Sequence, residues 1–546
     1  KAFFPSTNPE TGWWQDANRT TQAALEQPVG FIDDLSLGLT LGSETTTNGG
    51  FDTDTAWTKG IGWTISGGNA NIDGTQVAAS YLYQSAVQVG KVYRVIAVCA
   101  GLSATMYVSA GNLGTVVALN NGTNTWTLLA LGNGNIILNA PAGVTGSVAS
   151  ISVKEVTGYH ATQATSVNRP TYTKRVNFLQ YTSVFSNAYW TKNRGSITAE
   201  TDTDPFGLAT ASVYTADGTT GSHQIARSSG IAPAGATLFT GYIHPGTSTF
   251  LQISFSGDTT SYVNVNATTA AKTAEAGTIT STFTAVSGGW IYFSVTNTST
   301  LVSGVTIAIQ TTGTQSRQQS TTATTTFKLS SVDLRLTAFA GMNLPAYQRV
   351  GNGAAGTYDY DAIGFRPMLY FDGTNDALAT PAIDLTGTDS LMALVNVLKV
   401  SDAATGLVYE TGPNAGTTNG SMYIAAPASA AFTQYVSSSR GTVQATATYT
   451  NAAVAAPNMA CLKHISKIAT PVVANYRNGT LLISSSANQG TGNYANQALY
   501  LGARAGTSLF FKGYMFPGPL LDTTGIPTAL LDQMAREQAA LWGVAI

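Results

Sequence analysis

The stretch Phe51-Asp-Thr-Asp-Thr-Ala-Trp-Thr-Lys59 returns, shortened and altered, as Phe185-Ser-Asn-Ala-Tyr-Trp-Thr-Lys192. Each copy stands near the start of a long Thr/Ser/Gly-rich segment. Each segment closes on a similar strand, Ser150-Ile-Ser-Val-Lys154 in the first and Phe327-Lys-Leu-Ser-Ser-Val-Asp-Leu334 in the second. A repeat of this length constrains the fold more than any single motif, because it requires two copies of one domain type. The position of Trp57 and Trp190 at the entrance of each copy makes them core anchors, so a binding surface is to be sought on the loops and strand faces beyond them.

Both segments alternate short apolar runs with Gly and Asn turns. In the first, Asn48-Gly-Gly50, Ser66-Gly-Gly68, Asp73-Gly-Thr75 and Asn121-Gly-Thr123 separate runs such as Tyr81-Leu-Tyr83 and Val92-Tyr-Arg-Val-Ile-Ala-Val98. Strands at about 8 to 12 residue spacing without a helical period predict β-sandwiches, here of jelly-roll topology. In the second, Phe250-Leu-Gln-Ile-Ser-Phe255 alternates so that Leu251, Ile253 and Phe255 face a core while Phe250, Gln252 and Ser254 face water. The 546 residues divide into an extended N-terminal assembly strap (1–37), a first sandwich (38–157), a linker (158–175), a second sandwich (176–338), a linker (339–366) and a third sandwich (367–546).

The expected fold class is therefore all-β, tandem β-sandwich domains with extended linkers and a short C-terminal helix. That helix spans residues 527–542, with Pro527 in its first turn and Leu530, Leu531, Met534, Leu541 and Trp542 as its apolar stripe. Thr21-Gln-Ala-Ala-Leu-Glu26 is compatible with a second, shorter one. Adjacent Trp13 and Trp14 are candidate interface residues: so short a segment cannot bury both, and they need a surface from its own domain, a following domain or a neighbouring subunit.

Charge narrows the function classes. Asp, Glu, Lys and Arg make up only 10% of the chain, at a net charge of −2, against about 25% in ordinary globular proteins. Such a surface has no long-range attraction for phosphate backbones or anionic lipid, which argues against nucleic-acid partners and membrane insertion. Lys1-Ala-Phe-Phe-Pro5 shows no apolar leader, and the expectation is a soluble protein made in the cytoplasm. Cys99 and Cys461 fall in different domains and read as buried small hydrophobes.

Several stretches carry a resemblance. Asn8-Pro-Glu-Thr-Gly-Trp-Trp14, His160-Ala-Thr-Gln-Ala-Thr165 with Arg169-Pro-Thr171, and Arg175-Val-Asn-Phe-Leu-Gln-Tyr-Thr182 with Phe185 to Lys192 resemble head spike or head fibre proteins of tailed phages and prophages. Phe178, Gln180 and Ser183 depart from the usual Asn-Leu-Leu-Thr-Tyr-Ser of that family. Tyr370-Phe-Asp-Gly-Thr-Asn-Asp376, Asn475-Tyr-Arg-Asn-Gly479, Gln489-Gly-Thr-Gly-Asn-Tyr494 and Leu499-Tyr-Leu-Gly-Ala-Arg504 look like a concanavalin/laminin-G-like sandwich, and the first β domain is similar to carbohydrate-binding jelly-rolls. The resemblance implies a virion surface protein, a homotrimer partnered by other virion proteins of capsid, neck or tail. It implies no catalytic residues.

Glycan binding is the function the composition suits: aromatic rings stack on pyranose faces, and neutral Asn, Thr and Ser meet hydroxyls at little desolvation cost. The candidate platforms are Trp63, Tyr81 and Tyr83 in the first domain, Tyr189 and Trp190 in the second, and Tyr435 and Tyr494 in the third, with core or interface packing the competing and favoured role for each. A non-enzyme is expected. His160, His223, His244 and His464 are scattered and no nucleophile elbow occurs. The alternative is a tailspike-type, capsule-degrading glycosidase using two carboxylates, for which the acidic clusters are Asp52, Asp54, Asp202, Asp204, Asp359, Asp361, Asp372 and Asp376. No cofactor or catalytic metal is expected, although Asp52-Thr-Asp54 and Asp202-Thr-Asp204 begin like loops for a structural calcium. Gly351-Asn-Gly-Ala-Ala-Gly356 matches a dinucleotide fingerprint in letters only, without the flanking strand, helix and acidic residue.

Overall fold

The strand that closes each repeat lies inside a sheet. Thr145–Val156 runs between Val92–Ala100 and Asn69–Asp73, and Thr326–Leu336 runs between Ala209–Ala216 and Thr237–His244. Alternate residues of each, Val148, Ile151 and Val153 or Phe327, Leu329, Val332 and Leu334, point into the core, which the β-branched and aromatic side chains fill. The computed structural model describes residues 2–546 except 112, 114–115, 232, 234, 320, 352–363, 429–432 and the side chain of residue 199.

The repeat extends to topology. In the first module the facing sheet runs Thr58–Lys59, Ser80–Ser85, Asn135–Ala140, Met106–Ala110, Val117–Leu119. In the second it runs Thr191–Asn193, Gln224–Arg227, Gly304–Gln310, Phe250–Ser256, Tyr262–Asn266. Apart from Leu41–Glu44, an additional first-module strand paired with Thr145–Val156, strands followed along the chain are dealt to the two facing sheets in the same sequence in both modules. The second adds Ala271–Ala276 and Ile279–Ala285 at matching edges. The protein is all-β, built of antiparallel sandwiches.

The third sandwich is not confined to the last third of the chain. Ala2–Phe3 pairs with Lys512–Asp522; Trp13–Trp14, Phe31–Ile32 and Ala161–Thr162 line up beside Leu378–Asp384; Gln27–Pro28 and Thr171–Thr173 line up beside Met368–Asp372. With these additions it holds two nine-stranded sheets among the described residues. Both repeat modules thus leave this sandwich and return to it, and the segments expected as a free strap and a linker are its own edge strands. Each contributes only two or three residues, too few to show a period of two. Their backbone groups cover sheet edges that would otherwise lie unpaired.

Three local expectations need correction. Residues 21–26 form a bridge and a turn instead of a helix, while a four-residue helix, Pro9–Gly12, starts where Asn8 accepts a hydrogen bond from the Glu10 N–H at 2.9 Å. The C-terminal helix is Thr528–Ala540 with Pro527 as its N-cap. It buries Leu531, Ala535, Gln538 and Ala539, and Trp542 just beyond, while Leu530 is 46% exposed, so the stripe lies one residue from the expected one. In Phe250–Ser256 the polar face is not in water: Gln252 and Ser254 are buried beneath residues 311–319. There Gln252 Nε2 donates to the Ser316 carbonyl at 3.1 Å, and the Gln318 N–H donates to Gln252 Oε1 at 2.6 Å. No described helix is long and apolar enough to cross a membrane.

Candidate functional site

The sheet of the first module that carries Ser80–Ser85 has two faces. Leu82, Leu138 and Val108 point inward. Tyr81 and Tyr83 point outward, since successive residues of a strand alternate. Register places Tyr107, Asn139 and Tyr81 side by side across three strands, with Tyr83 and Thr58 paired in the neighbouring row. Strands stand about 4.8 Å apart, so Tyr107 and Tyr81 are about 10 Å from one another astride Asn139. Asn139 Oδ1 is buried without a partner among the described residues.

Beside this row runs a groove of about 330 Å³ lined by Thr58 to Ile61 and Gln76 to Tyr81, with Tyr83. Its two walls approach closely. The Gly60 N–H donates to the Tyr81 carbonyl at 2.8 Å, Ser80 Oγ donates to the Ile61 carbonyl at 2.7 Å, and a Cβ at Gly60 would lie 2.5 Å from Ser80 Oγ. Ile61 is 71% and Val77 93% exposed, giving the groove apolar lips. Gln76 is 2% exposed; its Nε2 donates to the carbonyls of Pro141 (2.9 Å) and Val144 (2.8 Å), while its Oε1 is buried without a partner among the described residues. The groove therefore offers aromatic and aliphatic surface, with the unpaired Gln76 Oε1 buried behind its wall.

In the second module the same face is closed. Gln252, Ala308 and Gln224 occupy the places of Tyr107, Asn139 and Tyr81 by strand order and register. Residues 311–319 cover that sheet, with Asn264 Nδ2 donating to the carbonyls of Gly313 (3.1 Å) and Gln315 (2.7 Å). Two copies of one topology thus differ in whether this surface is available.

The other sequence candidates separate from this site. Trp63 is 4% exposed and belongs to the first module's core. Tyr435 and Tyr494 are core residues of the large sandwich, with the Tyr435 hydroxyl 2.7 Å from Asn458 Oδ1 and that of Tyr494 2.6 Å from both Ser439 Oγ and Ser466 Oγ. Burial pushes the Tyr494 phenol up to about 12. None of these three presents a ring to a ligand; for Tyr435 the cause is that both faces of its strand are covered, Ser437 to Ser439 included. Tyr189 is half-buried and lines a different cleft, between the second module and the large sandwich.

Trp13 and Trp14 are used within the chain. Trp13 is fully buried against Tyr172 and Phe516, at centroid distances of 5.5 and 5.6 Å. Trp14 lies under the Arg19 guanidinium, donates to Asp33 Oδ2 at 3.1 Å and packs on the Phe31, Val92 and Leu129 cluster that joins the first module to the sandwich. Tyr107 escaped the sequence reading. The alternation in Met106-Tyr-Val-Ser-Ala110 was its one signal.

The acidic residues are mostly spent on turns and ion pairs. Asp204 accepts from the N–H groups of Phe206 and Leu208, both at 2.8 Å; Asp202 pairs with Lys328 at 2.8 Å; Asp54 pairs with Lys59. Asp376 accepts from the Asp372 N–H at 2.9 Å, and burial, with Asp372 nearby, raises it to about 7. No group of three or more His, Cys, Asp or Glu is gathered for a metal among the described residues. Asp359, Asp361 and most of the Gly351–Gly356 run lie outside the described residues. Cys99 and Cys461 are buried and free.

No protein-family profile matches the chain, and no curated protein does. Among solved structures it is similar to the Ruminococcus gnavus IT-sialidase CBM40, at 14% identity over 24% of this chain and 74% of that one, TM-score 0.20. It is similar to the same CBM40 bound to alpha2,6 sialyllactose, at 13% identity over 27% and 84%, TM-score 0.22. The Botulinum neurotoxin serotype G binding domain aligns at 9% identity over 33% and 44%, TM-score 0.25. Likeness at this level does not extend to function.

Proposed function

We propose that the protein is a non-catalytic virion surface component of the tailed-phage spike or fibre kind, which attaches to host-surface glycans through the groove of its first module. The observation that carries the glycan part is the outward row of Tyr107, Asn139 and Tyr81 beside a groove whose lips are Ile61 and Val77 and whose wall holds the unpartnered Gln76 Oε1. Tyrosine faces and aliphatic lips meet sugar C–H surfaces, and a largely neutral surround costs the sugar hydroxyls little desolvation. The virion part rests on the resemblance of the Asn8 to Trp14, His160 to Thr171 and Arg175 to Lys192 stretches to head spike proteins, and so does a homotrimer.

The test is a glycan array followed by calorimetry on the full chain and its Tyr81→Ala and Tyr83→Ala variants. Loss of at least tenfold in affinity, about 1.4 kcal/mol, with unchanged melting is the expected result. Binding that survives both substitutions would sink the groove as the site. Immunogold labelling of particles reports whether the chain is on a virion, and light scattering reports the trimer.

The glycosidase reading keeps one observation in its favour, a carboxyl raised to about 7, Asp376, beside a second carboxylate, Asp372. Shortening of host polysaccharide by the purified chain, abolished in Asp376→Asn, would establish it over the non-catalytic reading.

A further inference from the structure

A second cleft, of about 470 Å³, opens between the second module and the large sandwich. Its volume is within the range of about 300–1,000 Å³ usual for small-ligand sites. Tyr189 and Arg227 come from the module, Arg175 from the connecting segment, and Tyr370 and Tyr514 from the sandwich. The cleft therefore exists only where the module docks.

Its chemistry differs from that of the groove. The Arg227 guanidinium lies over the Tyr189 ring, 4.3 Å from its centroid. Arg227 Nε is buried without a hydrogen-bond partner, and Arg227 makes no ion pair among the described residues. Gly230 lets the backbone pass over it, since a Cβ there would lie 2.5 Å from an Arg227 Nη. Arg175 is fixed by donating to the carbonyls of Asn177 (2.9 Å), Phe178 (3.2 Å) and Leu179 (3.3 Å), and it makes no ion pair within 4 Å among the described residues. The one carboxylate of the lining, Glu26, accepts from Thr173 Oγ1 on the sandwich wall. On the opposite side Tyr370 and Tyr514 stand 5.1 Å apart and supply ring surface.

We propose that this cleft binds an acidic saccharide, a hexuronic acid residue whose carboxylate meets Arg227 and Arg175 while its ring lies against the tyrosines. A planar guanidinium fork already seated over a tyrosine ring suits a carboxylate, and carboxylate recognition at such a fork is bidentate. The site is separate from the groove of the first module, where the one cation of the lining, Lys59, is already paired with Asp54.

The probes are the methyl glycosides of glucuronic and galacturonic acid and their neutral methyl esters, titrated onto the full chain by saturation-transfer NMR. The acids bind, at least one of them tenfold or more tighter than its ester, and the difference shrinks as salt is raised. Arg227→Gln removes the preference for acid over ester with melting unchanged, Arg227→Lys keeps part of it, and Tyr81→Ala leaves it intact. Failure of both acids to bind, equal binding of acid and ester, or an unaltered preference in folded Arg227→Gln would each overturn the proposal. Loss of the preference in Tyr81→Ala would overturn it too, by assigning the signal to the groove.

Discussion

The indole N–H of Trp190 donates to the carbonyl oxygen of Tyr181, nine residues earlier, at 3.0 Å. Trp57 makes the same bond with Asn48, also nine residues earlier, at 3.1 Å. Both acceptors lie on left-handed backbone, at φ 49° for Tyr181 and 55° for Asn48. Each indole packs on a phenylalanine of its own motif, Phe185 at 5.1 Å and Phe51 at 5.4 Å. The recurring sequence is thus a recurring clasp that pins the loop before Thr58–Lys59 or Thr191–Asn193 onto the core.

Replacing Trp57 or Trp190 by Ala should cost about 3–5 kcal/mol of module stability. Replacement by Phe keeps most of the packing and loses one hydrogen bond. The carbonyls retain a second donor, the Phe51 N–H or the Val184 N–H, so that loss is about 1 kcal/mol. Denaturant unfolding of the full chain, followed by tryptophan fluorescence, separates the two outcomes.

What the sequence revealed follows from how local each signal is. The clasp and the closing strands are local, and the duplication was legible from them. A period of two puts Tyr81 and Tyr83 on one face, but it says which residues share a face and not whether that face is wet. It therefore missed that Gln252 and Ser254 are roofed over and that Tyr435 and Tyr494 are enclosed. Trp13 was illegible for another reason: its partner Phe516 lies some five hundred residues away in the chain, and no pattern near Trp13 announces it.

Arg504, at the end of the Leu499 to Arg504 run, grips Glu410 with Nε 3.1 Å from both carboxylate oxygens and Nη2 3.0 Å from Oε1. Glu410 is fully buried, and its other support is the Ala415 N–H at 2.8 Å. Arg504→Ala leaves an uncompensated buried carboxylate and should cost about 3–5 kcal/mol. In that variant alone, lowering the pH should restore part of the melting temperature, because protonation discharges Glu410. Glu410→Gln should be milder at neutral pH.

Asp376→Asn should stabilise the large sandwich at alkaline pH. Burial raises the folded carboxyl from 3.8 to about 7. Below the unfolded value both states are protonated; as pH rises toward 7 the unfolded chain ionises first, and stability is lost across that window. Asparagine keeps an acceptor for the Asp372 N–H and has no proton to lose. The gain should be on the order of 2 kcal/mol at pH 8 and vanish near pH 4, read as melting temperature against pH.

His160 sets the opposite slope, at the joint of the first module. Its Nδ1 accepts from the Asp34 N–H at 3.1 Å, its Nε2 donates to the Val156 carbonyl at 3.2 Å, and its ring stacks on Phe31 at 5.1 Å. Burial lowers it to about 4, so the neutral ring is the folded form. Stability is complete above the unfolded value of 6.5 and falls as pH drops toward 4, by up to about 3 kcal/mol, because the unfolded chain takes the proton first. His464, buried and lowered to about 3, acts with the same sign inside the large sandwich. Asp33, whose Oδ1 lies 3.6 Å from His160 Nδ1, is raised by burial and acts with the opposite sign above pH 3.8, and Arg19 beside it stays paired to its other oxygen. His160→Gln offers Oε1 to the Asp34 N–H and does not titrate. It should flatten the loss of stability between pH 6.5 and 4 by about one proton, whereas His464 variants should leave the first module's share unchanged. Limited proteolysis across that pH range reads the joint directly: cleavage near residues 34–40 and 157–160 should rise on acidification in the wild type and much less in His160→Gln.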